Sequence, residues 1–340
     1  MSDLLSHDER CPILYISMHG LFLFHKPSGP SSAQFLNQIK RAFSLSRSTR
    51  IGHGGTLDPF ASGLLVVGVS RAYTKLLNHH LLRVTKEYKV EIVLGASSDT
   101  DDRTGVIQNI PNINNNNPSI QRLTSIVEWR EKIELAIEKL QQRETQIPPQ
   151  YSAIKVQGQP AYARKRAGET LTLSSKKVSL IAYTLESVQE KNGLIYLTAI
   201  LLVSSGFYIR SFARDLGELL GLGGYVQTLE RTKIGLFSLK NALYLDDLDK
   251  DVELRFWASG VVQNVGFRAF ARDSAQELHI VGFSRNIDEN RVEVVGQGKL
   301  IQLQEFLTRL SQGPTHAHLE QIESYFGRII QTYTEFVILE

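Results

Sequence analysis

The 340-residue chain holds one cysteine, Cys11, and two methionines. A lone cysteine makes no internal disulfide and cannot build a cysteine-based zinc cluster, so the sequence describes a protein of a reducing compartment, expected in the cytoplasm. Long apolar runs are also missing. The longest, Gly63–Val69, falls far short of the ~18 residues that a membrane-crossing helix needs, so no membrane partner is expected. The opening MSDLLSHDER is acidic and lacks the basic start and apolar core of a signal peptide. Nucleotide-cofactor signatures are absent too: Gly221–Gly224 lacks the Gly-Lys-Ser/Thr ending of a phosphate loop, and Gly52-His53-Gly54-Gly55 does not complete a dinucleotide fingerprint. The nine histidines are scattered. Only His79-His80 and His316/His318 lie close together, and neither pair has helical spacing with a carboxylate. Chemistry in this chain is therefore expected to need no cofactor and no metal.

Hydrophobic residues make up 42% and charged residues 21%, ordinary for a globular chain with a real core, and the length suits two or three domains. Charge is unevenly spread. Residues 249–340 carry 9 basic and 13 acidic side chains, whereas residues 1–248 carry 29 and 22. A basic block joined to an acidic one suggests two functional units, the first with a polyanionic partner.

The periodicity places a strand at Leu21–Phe24, then a turn at His25-Lys26-Pro27-Ser28-Gly29-Pro30. A helix capped by Ser31-Ser32 follows, with Phe35, Ile39 and Phe43 on its inner face. Tyr88–Leu94 alternates as a strand, and Trp129–Arg143 is an amphipathic helix. Strands are predicted at Val178–Val188 and Leu194–Val203, and a helix at Phe207–Leu220. Asn112–Pro118 reads as a surface loop or insertion. The charge-rich break Asp246–Asp251 sets the domain boundary, giving an extension at 1–19, a first domain at 20–248 and a second at 249–340. In the second, strand, Gly-containing loop, helix, two strands, helix and strand follow in the order βαββαβ, a ferredoxin-like arrangement expected to fold alone.

The segment Gly52–Gly68, GHGGTLDPFASGLLVVG, sets Asp58-Pro59 in a glycine-rich loop ahead of a buried stretch. Read locally, Asp58 opens a turn or caps a helix. Its nine positions Gly52, His53, Gly55, Leu57, Asp58, Pro59, Ala61, Gly63 and Leu65 resemble the signature of the TruB-type tRNA pseudouridine-55 synthases. The likeness continues in order. Lys26-Pro27-Ser28-Gly29 resembles the family's opening motif, with His25 in place of its usual aspartate. Lys86-Glu87-Tyr88 and Asp99-Thr100-Asp101 resemble its tyrosine strand and acidic loop. Gln146–Lys155 and Ser205-Gly206-Phe207-Tyr208-Ile209-Arg210-Ser211 resemble two further segments, and Leu229 its closing leucine.

This resemblance implies an α+β fold, a mixed sheet flanked by helices. It also implies isomerisation of uridine to pseudouridine, at U55 in the T-stem-loop of tRNA, by a monomer. Asp58 would be the nucleophile and Arg210 its bidentate partner, and Tyr88 would stack on the flipped uracil near the proton transfer. His53, Tyr208, Leu229, Lys26 and Lys155 would contact the substrate. The basic residues Lys155, Arg164, Lys165, Arg166, Lys176 and Lys177 read as a phosphate track or as a solvated loop. Asp99, Asp101 and Asp102 read as turn-capping carboxylates rather than a cation site. A silent RNA-binding protein is the competing reading.

Gly260, Val262, Gln263, Val265, Phe267 and Arg268, with Gly282-Phe283-Ser284-Arg285-Asn286, resemble the loop and strand motifs of the acylphosphatases. The resemblance implies that loop amides and Arg268 clamp the phosphate of an acyl phosphate while Asn286 positions the attacking water. Asn264 stands where that family has glycine; if the position needs a positive φ, asparagine tolerates it better than most residues. The alternative is a non-catalytic anion- or RNA-binding module.

Overall fold

The structure, a computed structural model, describes residues 18–81, 83–109, 125–152 and 173–340, with short pieces at 155–156, 159–160, 164 and 169. The elements that build the sheet and its flanking helices are β1 (Gly20–Lys26), α1 (Ser32–Ala42), β2 (Ile51–His53), β3 (Ser62–Val69), α2 (Arg71–His80), β4 (Lys86–Leu94), α3 (Ile126–Gln141), β5 (Leu180–Lys191), β6 (Leu194–Val203), α4 (Ile209–Leu220), β7 (Gly224–Ile234) and β8 (Phe237–Ser238). They continue with β9 (Asp251–Val261), α5 (Phe267–Glu277), β10 (Val281–Asp288), β11 (Arg291–Lys299), α6 (Leu300–Gln312), β12 (His318–Gly327) and β13 (Phe336–Ile338). Asn112–Pro118 lies outside the described residues.

Each expected element is present, and local chemistry accounts for its ends. Ser31 accepts from the Gln34 amide while Gln34 reaches back, a capping box that starts α1. Ser125 and Glu128 do the same for α3, whose Trp129, Ile133, Ala136, Ile137 and Leu140 are buried. Two elements carry weaker sequence signals. The long strand β7 shows no two-residue period because register shifts at Val226/Thr228 and Arg231/Lys233 interrupt its pairing with β4. The helix α2 follows β3 directly and packs on it through Leu77.

Thirteen strands form one sheet in the order β5-β6-β4-β7-β3-β1-β12-β9-β11-β10-β13, with β8 on β7 and β2 on β3. It is mixed: β4, β5 and β6 are antiparallel, β7 is parallel to β3, and β1 is parallel to β12. The second unit runs βαββαβ from β9 to β12 and adds β13 at its edge. The joint lies at β1 and β12, where Phe22 pairs with Phe326 and their rings stack 4.8 Å apart.

The core crosses that joint. One cluster contains Phe22, Phe24, Phe35 and Ile39 together with Leu254, Phe256, Phe306 and Phe326. On the other face, Tyr325 packs against the cluster of Leu21, Leu23, Leu64 and Val66. Gln304 of α6 accepts from the His19 amide at 3.0 Å and donates to its carbonyl at 2.9 Å, fastening the start of β1 to the second unit. Among the described residues no helix is long and apolar enough to cross a membrane.

Candidate active sites

The loop between β2 and β3 carries Asp58, and its backbone is held on nearly every side. Arg231, 1% exposed on β7, donates from Nη2 to the Gly55 carbonyl at 3.0 Å and from Nε to Leu64 at 2.8 Å. The Ser32 hydroxyl accepts from the Leu57 amide and donates to the Leu57 carbonyl, both at 2.9 Å. Gly29 N–H donates to Pro59 at 2.7 Å and the Ser28 hydroxyl to Phe60 at 2.8 Å. Gly63, where the loop enters β3, has φ +107, and a Cβ there would stand 2.4 Å from the Arg231 carbonyl, so only glycine fits.

Arg210, in the first turn of α4, is buried and places Nε 2.9 Å from Asp58 Oδ2. Its Nη1 lies 3.4 Å from Asp102 and donates to the Thr100 carbonyl at 3.1 Å; its Nη2 donates to the Tyr151 carbonyl at 2.9 Å. The guanidinium therefore has partners on all three nitrogens, and Asp58 meets one of them rather than two. Asp58 is the more open partner, with 36% of its side chain exposed. Burial pushes its carboxyl above the ordinary range, with Arg210 pulling it back and Asp102 adding to the rise.

Asp102 is the member that sequence reasoning missed. Its Oδ2 faces Arg210, while Oδ1 accepts from the Thr104 amide at 2.9 Å and from the Thr100 and Thr104 hydroxyls. Turn capping and ion pairing are thus the same side chain's two faces, and the only sequence signal was its place in the acidic loop. Asp99 accepts from the Val106 amide at 2.7 Å. Asp101 pairs with Arg214 at 3.2 Å, and burial pushes it up to about 6.

The remaining expected residues fall into two groups. Tyr88, half-buried on β4, shares a cluster with Leu57, Phe60 and Leu229, on the floor beside the loop. Tyr208 caps α4, its backbone clamped by the Gln146 amide at 2.8 and 3.0 Å. Burial raises its phenol, and the charges of Arg210 and Asp58 act on it. His53 sits on β2 with Nδ1 buried and unpartnered. Lys26, by contrast, is 0% exposed, and its ammonium donates to the Pro27 and Pro30 carbonyls, both at 2.8 Å. The structure places it under its own turn instead of in the open cleft. The side chain of Lys155 and residues Lys165 and Arg166 lie outside the described residues. Arg164 is paired with Glu169, and Lys177 lies 4.0 Å from Glu144.

At the other end of the strands, the loop from β9 to α5 turns on three positive φ angles: Gly260 at 126°, Asn264 at 57° and Gly266 at 79°. Asn264 occupies the left-handed region, which asparagine tolerates better than most residues. Arg268 lies in the first turn of α5 and donates from Nη1 to the Leu339 carbonyl at 3.3 Å. The Ser284 hydroxyl reaches the Arg268 carbonyl at 3.3 Å, bringing β10 against that helix start. Two residues further along β10, Asn286 has its Oδ1 buried without a partner. Among the described residues no cluster of side chains suits a metal ion.

Three family models match the chain. The TruB family pseudouridylate synthase N-terminal domain covers residues 40–209, the tRNA pseudouridylate synthase B C-terminal domain 210–258, and acylphosphatase 254–338. The tRNA pseudouridine synthase B of Corynebacterium efficiens is 37% identical over 235 residues, 69% of this chain and 73% of that protein. That of Thermobifida fusca is 34% identical over 268 residues, 76% and 84% of the two chains. A crystal structure of acylphosphatase from Bacillus subtilis aligns at 28% identity with 26% of this chain and 99% of its own, at a TM-score of 0.26.

Proposed function

The chain belongs to the TruB family of pseudouridylate synthases, and from that premise we infer that it isomerises uridine to pseudouridine in tRNA, at position 55 of the T-stem-loop. The observation that carries the reading is the Asp58–Arg210 pair at 2.9 Å within a clamped loop. The reaction breaks the bond from C1′ of the ribose to N1 of uracil, rotates the base, forms the bond from C1′ to C5, and exchanges the proton lost from C5 for one taken up at N1, so the product is an isomer of the substrate. Nothing is oxidised or reduced. Asp58 supplies the attacking carboxylate, and Arg210, fixed by Asp102 and two carbonyls, keeps that carboxylate oriented and ionised against its burial. The uridine must leave its stack to reach Asp58, and Tyr88, Tyr208 and Leu229 form the surface that receives it, with His53 on the RNA side. Lys26 acts from beneath, by holding the Pro27–Pro30 turn against the catalytic loop.

The division into an extension at 1–19, a synthase unit at 20–248 and an acylphosphatase-like unit at 249–340 follows the same reading. For the second unit the proposed activity is hydrolysis of acyl phosphates. Loop amides and Arg268 hold the phosphate, and the free Oδ1 of Asn286 accepts a hydrogen bond from the attacking water. One contact favours the competing reading, a non-catalytic anion- or RNA-binding module: Arg268 already donates to the Leu339 carbonyl.

The test of the first activity is mass-spectrometric detection of pseudouridine in an unmodified tRNA transcript incubated with the protein. The expected result is one modified uridine, in the T-loop. A transcript left unmodified by folded protein overturns the reading.

A further inference from the structure

We propose that Asp101 and Arg214 are positioning residues for the isomerisation, a second ion pair that sets the register between α4 and the Asp99–Gly105 loop so that Asp102 and the Thr100 carbonyl meet Arg210. The proposal rests on the synthase reading above and adds to it two residues that act through Arg210.

Spacing on α4 is the first argument. Arg210 and Arg214 stand four residues apart, so they share one face of the helix on successive turns. Two consecutive aspartates meet them. Asp102 Oδ2 lies 3.4 Å from Arg210 Nη1, and Asp101 Oδ2 lies 3.2 Å from Arg214 Nη1. The two arginines also grip the segment 147–151 in parallel: Arg214 Nη2 donates to the Ile147 carbonyl at 3.0 Å, and Arg210 Nη2 to the Tyr151 carbonyl at 2.9 Å. Arg214 therefore ties together the two segments from which Arg210 draws its partners other than Asp58.

Backbone conformation is the second argument. The Thr100 carbonyl and the Asp102 carboxylate come from either side of Asp101, yet both face Nη1 of one guanidinium. The chain achieves this with Asp101 at φ 60°, in the left-handed region that a residue with a Cβ enters at a cost. The Asp101 carbonyl accepts from the Val226 amide at 3.0 Å and the Arg103 amide donates to the Val226 carbonyl at 2.9 Å, which seats the loop on β7. Its seat on α4 comes from the Asp101 and Asp102 carboxylates.

Cost is the third. The Asp101 and Arg214 side chains are only 14% and 25% exposed. Burial works against the Asp101 charge, and Arg214 and Arg210 work to restore it. A largely buried ion pair on a left-handed residue is a poor route to stability, and it fits a site where geometry is what must be held.

The test is single-turnover conversion of a tRNA transcript by full-length protein, with tRNA affinity measured beside it. Asp101→Asn removes the charge and keeps a residue that tolerates the left-handed backbone, and Arg214→Gln removes the other partner. Each should lower the rate constant roughly 10-fold while the Kd for tRNA stays within about twofold, and the double variant should lose no more than the worse single. The decisive readout is dependence on background. In Arg210→Lys protein, which has no guanidinium to position, adding Asp101→Asn should cost less than about twofold. An equal loss in that background marks a merely structural pair and overturns the proposal. A wild-type rate in Asp101→Asn overturns it too, and so does a loss that falls on Kd instead of on the rate. If Arg214→Gln does not fold, Asp101→Asn in the two backgrounds decides alone. Wild-type protein that makes no pseudouridine fails the synthase reading itself, whereas unaltered variants beside an active wild type fail this inference only.

Discussion

The two candidate sites each present a charged side chain beside a tight loop, and they hold it by different means. Around Asp58 the work is done by side chains on backbone: Arg231, Ser32 and Ser28 grip the loop, and Arg210 has a partner on every nitrogen. Around Arg268 the loop folds through three residues at positive φ and is tied by fewer side chains, the Gln263 amide donating to the Asp288 and Arg291 carbonyls, while Asn286 keeps a free acceptor. In the first arrangement the arginine beside the carboxylate has all three nitrogens partnered within the chain, whereas in the second the Asn286 Oδ1 has no partner. They also lie apart. From the Phe22/Phe326 pair, β1 runs forward to Lys26 and the Asp58 loop, whereas β12 runs back to His318, which pairs with Val261 at the second loop.

The sharpest break in this comparison is expected at Asp58. Asp58→Asn keeps the shape and removes the nucleophile, so pseudouridine formation should fall by ~10⁴-fold or more while acyl phosphate hydrolysis is untouched. Arg210→Lys should lose ~10²–10³-fold, because a point charge cannot serve Asp58, Asp102 and two carbonyls from one plane. Single-turnover kinetics on tRNA check both, and near-normal turnover in either variant would remove that residue from the mechanism.

Much of this was legible in the sequence, for reasons that differ by residue. The second unit's strands alternate cleanly, so their order could be read directly. Asp58 and Arg210 stand in long motifs, but the motifs do not say that Arg210 spends one nitrogen on Asp102. That contact depends on how the Asp99–Gly105 loop folds over α4, and an aspartate followed by turn formers looks the same whether or not an arginine lies beyond it. The inward turn of the Lys26 ammonium to two carbonyls was not legible, because a lysine beside Pro27 gives no sign of it. The pairing of Phe22 with Phe326 joins the two ends of the chain, and no local pattern encodes it.

That pairing carries the next prediction, and it runs against the self-sufficiency that a complete βαββαβ order suggests. Phe22 and Phe326 are each 0% exposed in a cluster drawn from both units. Phe326→Ala should destabilise by ~3–5 kcal/mol, and heat should abolish both activities in a single transition. Calorimetry that resolves two transitions, with only the second unit's shifted, would show that the units merely touch.

A smaller loss is expected in the second site. Arg268→Ala should lower hydrolysis of benzoyl phosphate by full-length protein ~10²-fold and leave tRNA modification unchanged. Wild-type hydrolysis no faster than this variant would leave a binding module, with the Arg268–Leu339 contact as its resting state.

The smallest effect concerns a cost confined to the synthase side. Lys86 is 8% exposed, with its ammonium donating to the Leu81 and Val84 carbonyls and to the Ser205 hydroxyl. Burial and the nearby Arg231 lower its pKa to about 8. Lys26 is likewise lowered to about 8, chiefly by burial, although Asp58 pulls it back up. A folded-state pKa below the unfolded value of 10.5 means that between about 8 and 10.5 the unfolded chain binds more protons. Stability therefore rises with pH across that window, and below it the buried ammonium is a standing cost. Buried tyrosines such as Tyr73 and Tyr225, whose pKa values burial raises, act in the opposite direction at higher pH. The informative quantity is thus the difference between wild type and Lys86→Met, measured by denaturant midpoint from pH 7.5 to 9.5. The wild type should gain on the variant as pH rises, with a slope of at most about one proton. A difference that stays flat, or falls, would mean that Lys86 keeps an ordinary ammonium and that the synthase side bears no such cost.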